Sequence, residues 1–328
     1  MGIGSTQCAG HLTAAEADHG QAVPTRATLD NVLQQPTADQ SETPASDQLI
    51  KVPPAKVALS TSSVYPETTS SAFELARRLG YDGVELMVGI DPVAADIDAV
   101  EKLRDYHGIG VVAIHAPCLL VTQRVWGNDP WSKLERSAEA ALRLDANVVV
   151  VHPPFRWQRD YARGFIEGIR RLTESTGVTF CVENMYPWRT PGGELKAYLP
   201  GWDPTERDYA NLTLDFSHAS TSSQQSLDLA KSWGDRLKHV HLTDGTGSIK
   251  DEHMVPGRGD QQADKVLGYL AEQDFSGHVV LEINSRKCVT RAQREADLAE
   301  SLAFARLHLA ARVTPSYSVD AGGVTSVL

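Results

Sequence analysis

HVHLTDGTGSIKDEHMVPGRG, residues 239–259, joins a short apolar alternation to a glycine-rich turn and a cluster of metal-competent side chains. The alternation ends at His241, the chain turns through Asp244, Gly245 and Gly247, and Asp251 and His253 follow just ahead of a Pro256-Gly257 turn. A strand that ends in histidine and feeds a loop carrying Asp-x-His offers imidazole and carboxylate ligands from one short piece of chain. The same residues also suit a plain strand end, with His241 hydrogen-bonded in a core and Asp251 to His253 forming a solvated turn. The other strands decide between the two.

From Lys56 onward, short apolar runs alternate with longer helical patterns, the texture of repeated βα units around a parallel sheet. The runs are Lys56 to Ser60, Gly83 to Met87, Val111 to His115, Asn147 to His152, Val178 to Glu183, Leu212 to Asp215, Leu237 to His241 and His278 to Glu282. Helical patterns separate them, as at 69–79, where Phe73, Ala76 and Leu79 share a face. An irregular Pro/Gly-rich insertion spans 186–208. Eight strands and eight helices over about 250 residues predict an α/β fold, a (β/α)8 TIM barrel whose active site lies on loops at the C-terminal ends of the strands. Glu85, His115, His152, Glu183, Asp215, His241 and Glu282 stand at or just past the ends of seven of these runs. So many polar groups converging on one rim would cost too much desolvation unless a positive charge sits among them. A divalent cation is the simplest neutraliser. No GxGxxG follows the first run and no Walker loop occurs, so nucleotide binding is not indicated.

A chain of 328 residues, 41% hydrophobic, has room for one large barrel. Residues 1–52 are rich in Ala, Thr, Gln, Asp, Ser and Pro without a hydrophobic period, and are expected to form a disordered N-terminal tail. Residues 53–312 are assigned to the barrel and 313–328 to a flexible C-terminal tail. A net charge of -11 argues against an extended basic surface for nucleic acid. Cys8, Cys118, Cys181 and Cys288 lack CxxC spacing and suggest neither a disulfide framework nor a zinc ribbon. No run approaches the roughly 18 apolar residues of a membrane helix and no signal pattern opens the chain, so no membrane partner and a cytoplasmic location are expected. The sequence leaves a homo-oligomer open.

At these motifs the sequence resembles the xylose isomerase-like TIM-barrel superfamily, which includes sugar isomerases and epimerases and the endonuclease IV-type apurinic endonucleases. The likeness spans residues 56–310. It implies one divalent metal held by Glu183 in VENM, Asp215 in LDFSHA, His241 in HLTD and Glu282 in LEIN. Through the endonuclease branch it implies ligands for two more zinc ions, His115 and His152 beside Glu183 for one, and His218, Asp251 and His253 for the other. The spacing Asp215-x-x-His218, and Asp251-x-His253 followed by Gly257-x-Gly259, carries the resemblance.

The chain also departs from both branches. It has His253 where many epimerases of this group carry an arginine before the Pro-Gly-x-Gly turn. Its loop from Val88 to Pro92 lacks the Asn, Gln, Arg or aromatic side chains expected to wedge into an abasic duplex. In the opposite direction, Arg156, Trp157, Arg159 and Tyr161 make a basic-aromatic patch suited to a phosphate.

The activity implied is isomerisation or epimerisation of a sugar or sugar phosphate, by proton transfer through a metal-stabilised enediolate. Glu183 and Glu282 would carry the proton, with Asp215 and His241 completing the metal shell. The alternative is an endonuclease IV-like zinc phosphodiesterase, with up to three Zn²⁺, acting on abasic DNA. Three carboxylates and one imidazole suit Mn²⁺, Co²⁺ or Mg²⁺, and the additional histidines favour Zn²⁺. His115, His152, His218, Asp251, His253, Glu85 and Arg258 are further candidates for metal or substrate. A small-molecule sugar or sugar phosphate is the expected partner, with nucleic acid the alternative.

Overall fold

Val148–Val151 reads VVVV and is buried throughout, as expected of a strand covered on both faces. In the computed structural model, which describes residues 49–190, 193–313, 317–319 and 325–327, it is one of eight strands closed into a parallel barrel. In chain order these are β1 (Lys56–Ser60), β2 (Gly83–Met87), β3 (Val111–His115), β4 (Val148–Val151), β5 (Thr179–Glu183), β6 (Leu212–Asp215), β7 (Leu237–Leu242) and β8 (His278–Leu281). Each strand pairs with the next, and β8 pairs back onto β1, with Val279 opposite Val57. The period of two sorts their side chains into layers. Ala58, Ala113, Val148, Val150, Cys181 and Val280 form one small cluster. Their chain neighbours, such as Val57, Leu59, Val149, Val151, Val279 and Leu281, join the larger cluster shared with the helices.

The crossover helices are α1 (Thr69–Leu79), α2 (Ile97–His107), α3 (Pro130–Arg143), α4 (Arg159–Thr176), α5 (Ser226–Trp233), α6 (Ala263–Glu272) and α7 (Arg291–His308). Three of them, α2, α3 and α7, start at a short polar side chain that accepts an orphan backbone N–H group. Asp129 accepts from Ser132 N at 2.7 Å, and Thr290 from Gln293 N at 3.1 Å. Among the described residues no helix is long and apolar enough to cross a membrane.

Two expectations change. No crossover helix follows β5, so the count of eight is corrected to seven among the described residues. Pro187, Pro200 and Pro204 interrupt the helical hydrogen-bond pattern there. Trp188–Thr190 instead pairs antiparallel with Gly193–Leu195, and Tyr198 bridges to Phe155. The tail boundary also moves, because Leu49–Lys51 pairs antiparallel with Ala311–Val313, placing Ile50 opposite Arg312. Residues 1–48 of the expected tail lie outside the described residues. Within the expected C-terminal tail, Tyr317–Val319 pairs with Thr325–Val327.

The chain enters β8 at Gly277, where an added Cβ would collide with the main-chain oxygen of Lys238 at the start of β7. Gly277→Ala is therefore expected to lower stability by about 1–3 kcal/mol through overpacking against backbone. Gly268→Ala, on α6 with open space at its Cβ, is expected to match or exceed the parent, since alanine is favoured over glycine in a helix by about 1 kcal/mol. Thermal melts of the two variants check the contrast.

Candidate metal centre

The Asp-x-x-His spacing is a helix cap. Asp215 ends β6, and its Oδ1 accepts the backbone N–H of His218 at 2.7 Å, which starts the short helix Phe216–Thr221 and puts both side chains on one turn. That leaves Asp215 Oδ2 buried without a hydrogen-bond partner. Asn184, the residue after Glu183, locks the ends of β5 and β6 together. Its Oδ1 accepts from Asp215 N at 2.8 Å and its Nδ2 donates to Asp215 O at 3.0 Å.

The loop after β7 is organised by Asp244, which accepts backbone N–H groups from Gly245, Gly257 and Gln261 at 2.9, 2.9 and 3.1 Å. Gly259 lies so close beneath this carboxylate that a Cβ would collide with Asp244 Oδ1 and with the Gly245 carbonyl. Ser217 Oγ donates to Asp251 Oδ1 at 2.7 Å and accepts from the backbone N–H of Glu252 and His253 at 3.0 and 2.9 Å. His253 is held at φ +45°, a left-handed conformation that non-glycine residues adopt at a cost.

These supports bring nine donors together at the C-terminal rim in three groups. In the first, His152 Nε2 and His115 Nε2 lie 3.0 and 3.3 Å from Glu183 Oε2 and 3.2 Å from each other. In the second, His241 Nδ1 lies 3.1 Å from Glu183 Oε1, 3.0 Å from Glu282 Oε2 and 3.7 Å from Asp215 Oδ2. In the third, Asp251 Oδ2 lies 3.0 Å from His253 Nε2 and 3.4 Å from His218 Nε2. Glu183 bridges the first two groups. A tetrahedral ion with bonds of about 2.0–2.1 Å sets its ligands roughly 3.3 Å apart, which is the spacing these donors share.

The imidazoles are also oriented as ligands. His115 Nδ1 donates to Ala116 O at 3.1 Å, His218 Nδ1 to Asn184 O at 2.8 Å and His253 Nδ1 to Glu282 O at 2.7 Å. A carbonyl oxygen only accepts, so in the neutral rings the remaining nitrogen carries a lone pair into the cluster. His241 is turned the other way round. Its Nε2 lies 3.1 Å from Glu85 Oε1, leaving Nδ1 for the rim, and Glu85 Oε2 accepts from His239 Nε2 at 2.7 Å. An outward nitrogen tied to an oxygen is the support that metal-binding histidines ordinarily have.

The electrostatics demand positive charge. Burial opposes charge on these rings, but Glu85, Glu282 and Glu183 outweigh it and raise His241 well above the ordinary histidine pKa. Against the same penalty, Asp215 and Asp251 raise His218, and Asp251 and Asp215 bring His253 to about 10. Burial pushes the Asp215 carboxyl up, with His218 and His253 only partly offsetting it. For Glu183 the balance reverses, because His241, His115 and His152 outweigh burial and hold it well below the carboxylate range. Divalent cations among these donors would supply the missing charge and a partner for Asp215 Oδ2.

A family model described as a xylose isomerase-like TIM barrel matches residues 73–308. The chain belongs to that family. An uncharacterized protein of Mycobacterium tuberculosis is 48% identical over 276 residues, covering 78% of this chain and 99% of the relative. An inosose dehydratase of Bacillus cereus is 30% identical over 96 residues, 24% of this chain and 32% of that enzyme. Among solved structures, a D-tagatose 3-epimerase-like protein superposes with a TM-score of 0.54 at 24% identity, covering 76% of this chain and 98% of its own. An AP endonuclease, family 2, from Brucella melitensis superposes with a TM-score of 0.54 at 20% identity, covering 75% and 97%. These two share the fold of the xylose isomerase-like family with this chain.

Within this xylose isomerase-like barrel, two candidates and the phosphate patch stand apart from the rim. Glu85 is fully buried behind His241 rather than facing substrate. Arg258 turns away to α7, where it pairs with Asp297 and Glu300 at 2.8 and 2.6 Å, because that helix offers it two carboxylates at the surface. The patch at 156–161 does not assemble at the rim, since Tyr161 is buried in the core cluster and Arg156 and Arg159 are exposed. Sequence reasoning missed His239, Asn184 and Ser217. A clue to His239 was its place two residues before His241, which puts it on the same face of β7. Glu85→Gln leaves an amide that accepts through only one atom where two imidazoles converge. It is expected to weaken metal binding about 10–100-fold, measured by chelator competition, and unchanged affinity would contradict the role given to Glu85.

Proposed function

We propose that this chain is a divalent-metal-dependent isomerase or epimerase that moves a proton at a carbon beside the carbonyl of a sugar or sugar phosphate. The observation that carries this reading is the position of Glu282. Its side chain is 12% exposed and lines a cavity of about 590 Å³ above the donor cluster, while its Oε2 stays 3.0 Å from His241 Nδ1. Glu282 thus belongs to the donor set and also faces the space where a small substrate would lie. Ser62 Oγ donates to its Oε1 at 3.3 Å, and His253 Nδ1 grips its main-chain oxygen, so the carboxylate is held from both ends.

Glu183 has a different environment. His115, His152, His218 and His241 all lie within 3.3 Å of its two oxygens. That makes it a bridge between donor groups and leaves Glu282 to carry the proton, narrower than the Glu183/Glu282 pair expected from the sequence. In aldose–ketose isomerisation one carboxylate can remove a proton from one carbon and return it to the neighbouring carbon, with the hydroxyl proton passing to the former carbonyl oxygen, whereas inversion at a single carbon needs a second group on the opposite face. Within the class, isomerisation is favoured. Glu183, Asp215, His241 and Glu282 would hold a divalent cation, which when bound would supply Lewis-acid polarisation of the substrate carbonyl.

A second reading, phosphoester hydrolysis, is favoured by the three overlapping donor groups, and above all by His115 and His152 facing each other across Glu183. Against it, Arg286 is the sole Lys or Arg among the cavity-lining residues. The test is solvent deuterium incorporation beside the carbonyl of a panel of ketoses, ketose phosphates and aldoses, read by mass spectrometry. The parent is expected to exchange, and Glu282→Gln to exchange about 10²–10⁴-fold more slowly. Hydrolysis of bis(4-nitrophenyl) phosphate without exchange in any sugar would replace this reading with the second.

A further inference from the structure

The cavity is larger and less polar than a lone monosaccharide requires. Its volume of about 590 Å³ lies within the roughly 300–1,000 Å³ that encloses a drug-sized ligand. The floor is the polar donor cluster, but one wall is aromatic. Phe155 stacks on Tyr198 with centroids 5.4 Å apart at 22°, and Trp188 meets the two rings at 6.0 and 6.1 Å. Trp188 and Tyr198 come from the irregular insertion at 186–208 between β5 and β6, so that segment builds this wall.

The mouth is apolar as well. Ile90, Leu120 and Val121 all line the cavity and are 71%, 46% and 72% exposed. Exposed apolar side chains are ordinary when scattered singly, but a collar of them around one opening is the pattern of a ligand groove. Charge is scarce. Arg286 lies over the Tyr65 ring at 4.5 Å, Glu67 is paired with Arg294 at 2.6 Å, and Asp91 is occupied by Thr69 and by the backbone of Val93. Away from the donor cluster a terminal phosphate would find a single guanidinium, whereas an apolar ring would find Trp188, the nearly buried edges of Phe155 and Tyr198, and the collar of Ile90, Leu120 and Val121.

We propose that the substrate is an uncharged sugar derivative bearing an apolar, ring-containing substituent, rather than a free sugar or a sugar phosphate. Its oxygen-rich end lies over the donor cluster beside Glu282. The ring lies against Phe155, Trp188 and Tyr198 and is covered from the solvent side by Ile90, Leu120 and Val121. This rests on the rim being the reacting centre, and it names the class of molecule that centre takes.

The experiment is calorimetric titration of the full, metal-replete chain with the 6-O-phenyl and 6-O-methyl ethers of D-glucose, D-galactose and D-fructose, which keep the carbonyl of the open-chain form, and with glucose 6-phosphate. At least one phenyl ether is expected to bind about 10-fold or more tightly than its methyl partner, the gain coming from ring burial. Glucose 6-phosphate is expected to bind no tighter than the methyl ethers. Trp188→Ala and Val121→Asp should each remove the phenyl advantage while the metal content stays that of the parent. No phenyl advantage for any sugar, or a preference for the phosphate, overturns the proposal. So does a dimer that Val121→Asp dissociates without changing phenyl affinity, because the collar would then belong to a second copy. Failure here is separable from failure of the isomerase reading. Deuterium exchange without a phenyl preference defeats this proposal alone, and a phenyl preference without exchange in any of these phenyl ethers defeats the isomerase reading alone.

Discussion

Imidazole lone pairs and carboxylates cannot be buried against one another at 3.0–3.3 Å without positive charge among them. The rim of this barrel is built around that constraint. Four histidines have one nitrogen tied to a carbonyl or carboxylate oxygen, so the other is left to face the cluster. The protein must then supply charge either as protons on those rings or as bound cations. The shared spacing suits ligands around a metal ion as well as hydrogen bonds, and bound cations are the source of charge proposed here. The cost of assembling such a site, to which the left-handed backbone at His253 adds, is met by the surrounding structure, in the Asp215 cap and the Asn184 clamp between β5 and β6.

The barrel makes this assembly feasible because six of its eight strands, β3 to β8, each deliver one residue to the same rim at or just past the strand end, while neighbours in sequence face the helices. Glu183 and Asp215 end two consecutive strands, His241 is the next-to-last residue of the third, and Glu282 follows the next. The third donor group reaches the rim by a different route. Asp251 and His253 come from a loop whose two ends are held by Asp244, and whose close approach at Gly259 tolerates no side chain. Function then separates by depth. Glu85 and His239 lie below and orient His241, the donors occupy the middle, and the aromatic and aliphatic walls above decide what reaches Glu282.

Much of this was legible in the sequence for a simple reason. A parallel strand buried on both faces is written as an uninterrupted apolar run, so a histidine or carboxylate at its end stands out, and eight such runs imply the closed barrel. The fifth crossover was not legible as structure. Its prolines announced an irregular segment, but that Trp188 and Tyr198 fold back to meet Phe155 depends on long-range packing with no local signature. Arg258 was misleading for a related reason. A turn arginine between two glycines looks free to reach a ligand, and nothing nearby in sequence shows that Asp297 and Glu300 will lie beside it. The pairing of Leu49–Lys51 with Ala311–Val313 joins two unremarkable segments more than 250 residues apart, beyond the reach of any local pattern.

Whether the rim is a metal centre is tested most directly by elemental mass spectrometry of the purified chain before exposure to chelator and after repletion with zinc, manganese or cobalt. An isomerase centre retains at least one divalent ion per chain, held by Glu183, Asp215, His241 and Glu282 and lost or weakened when Glu183 is replaced by glutamine, whereas about three zinc ions per chain would favour the phosphoester reading. A chain that holds less than one ion under every condition would contradict a metal centre, because the buried carboxylates and lone pairs of the rim would then have to be balanced by protons alone.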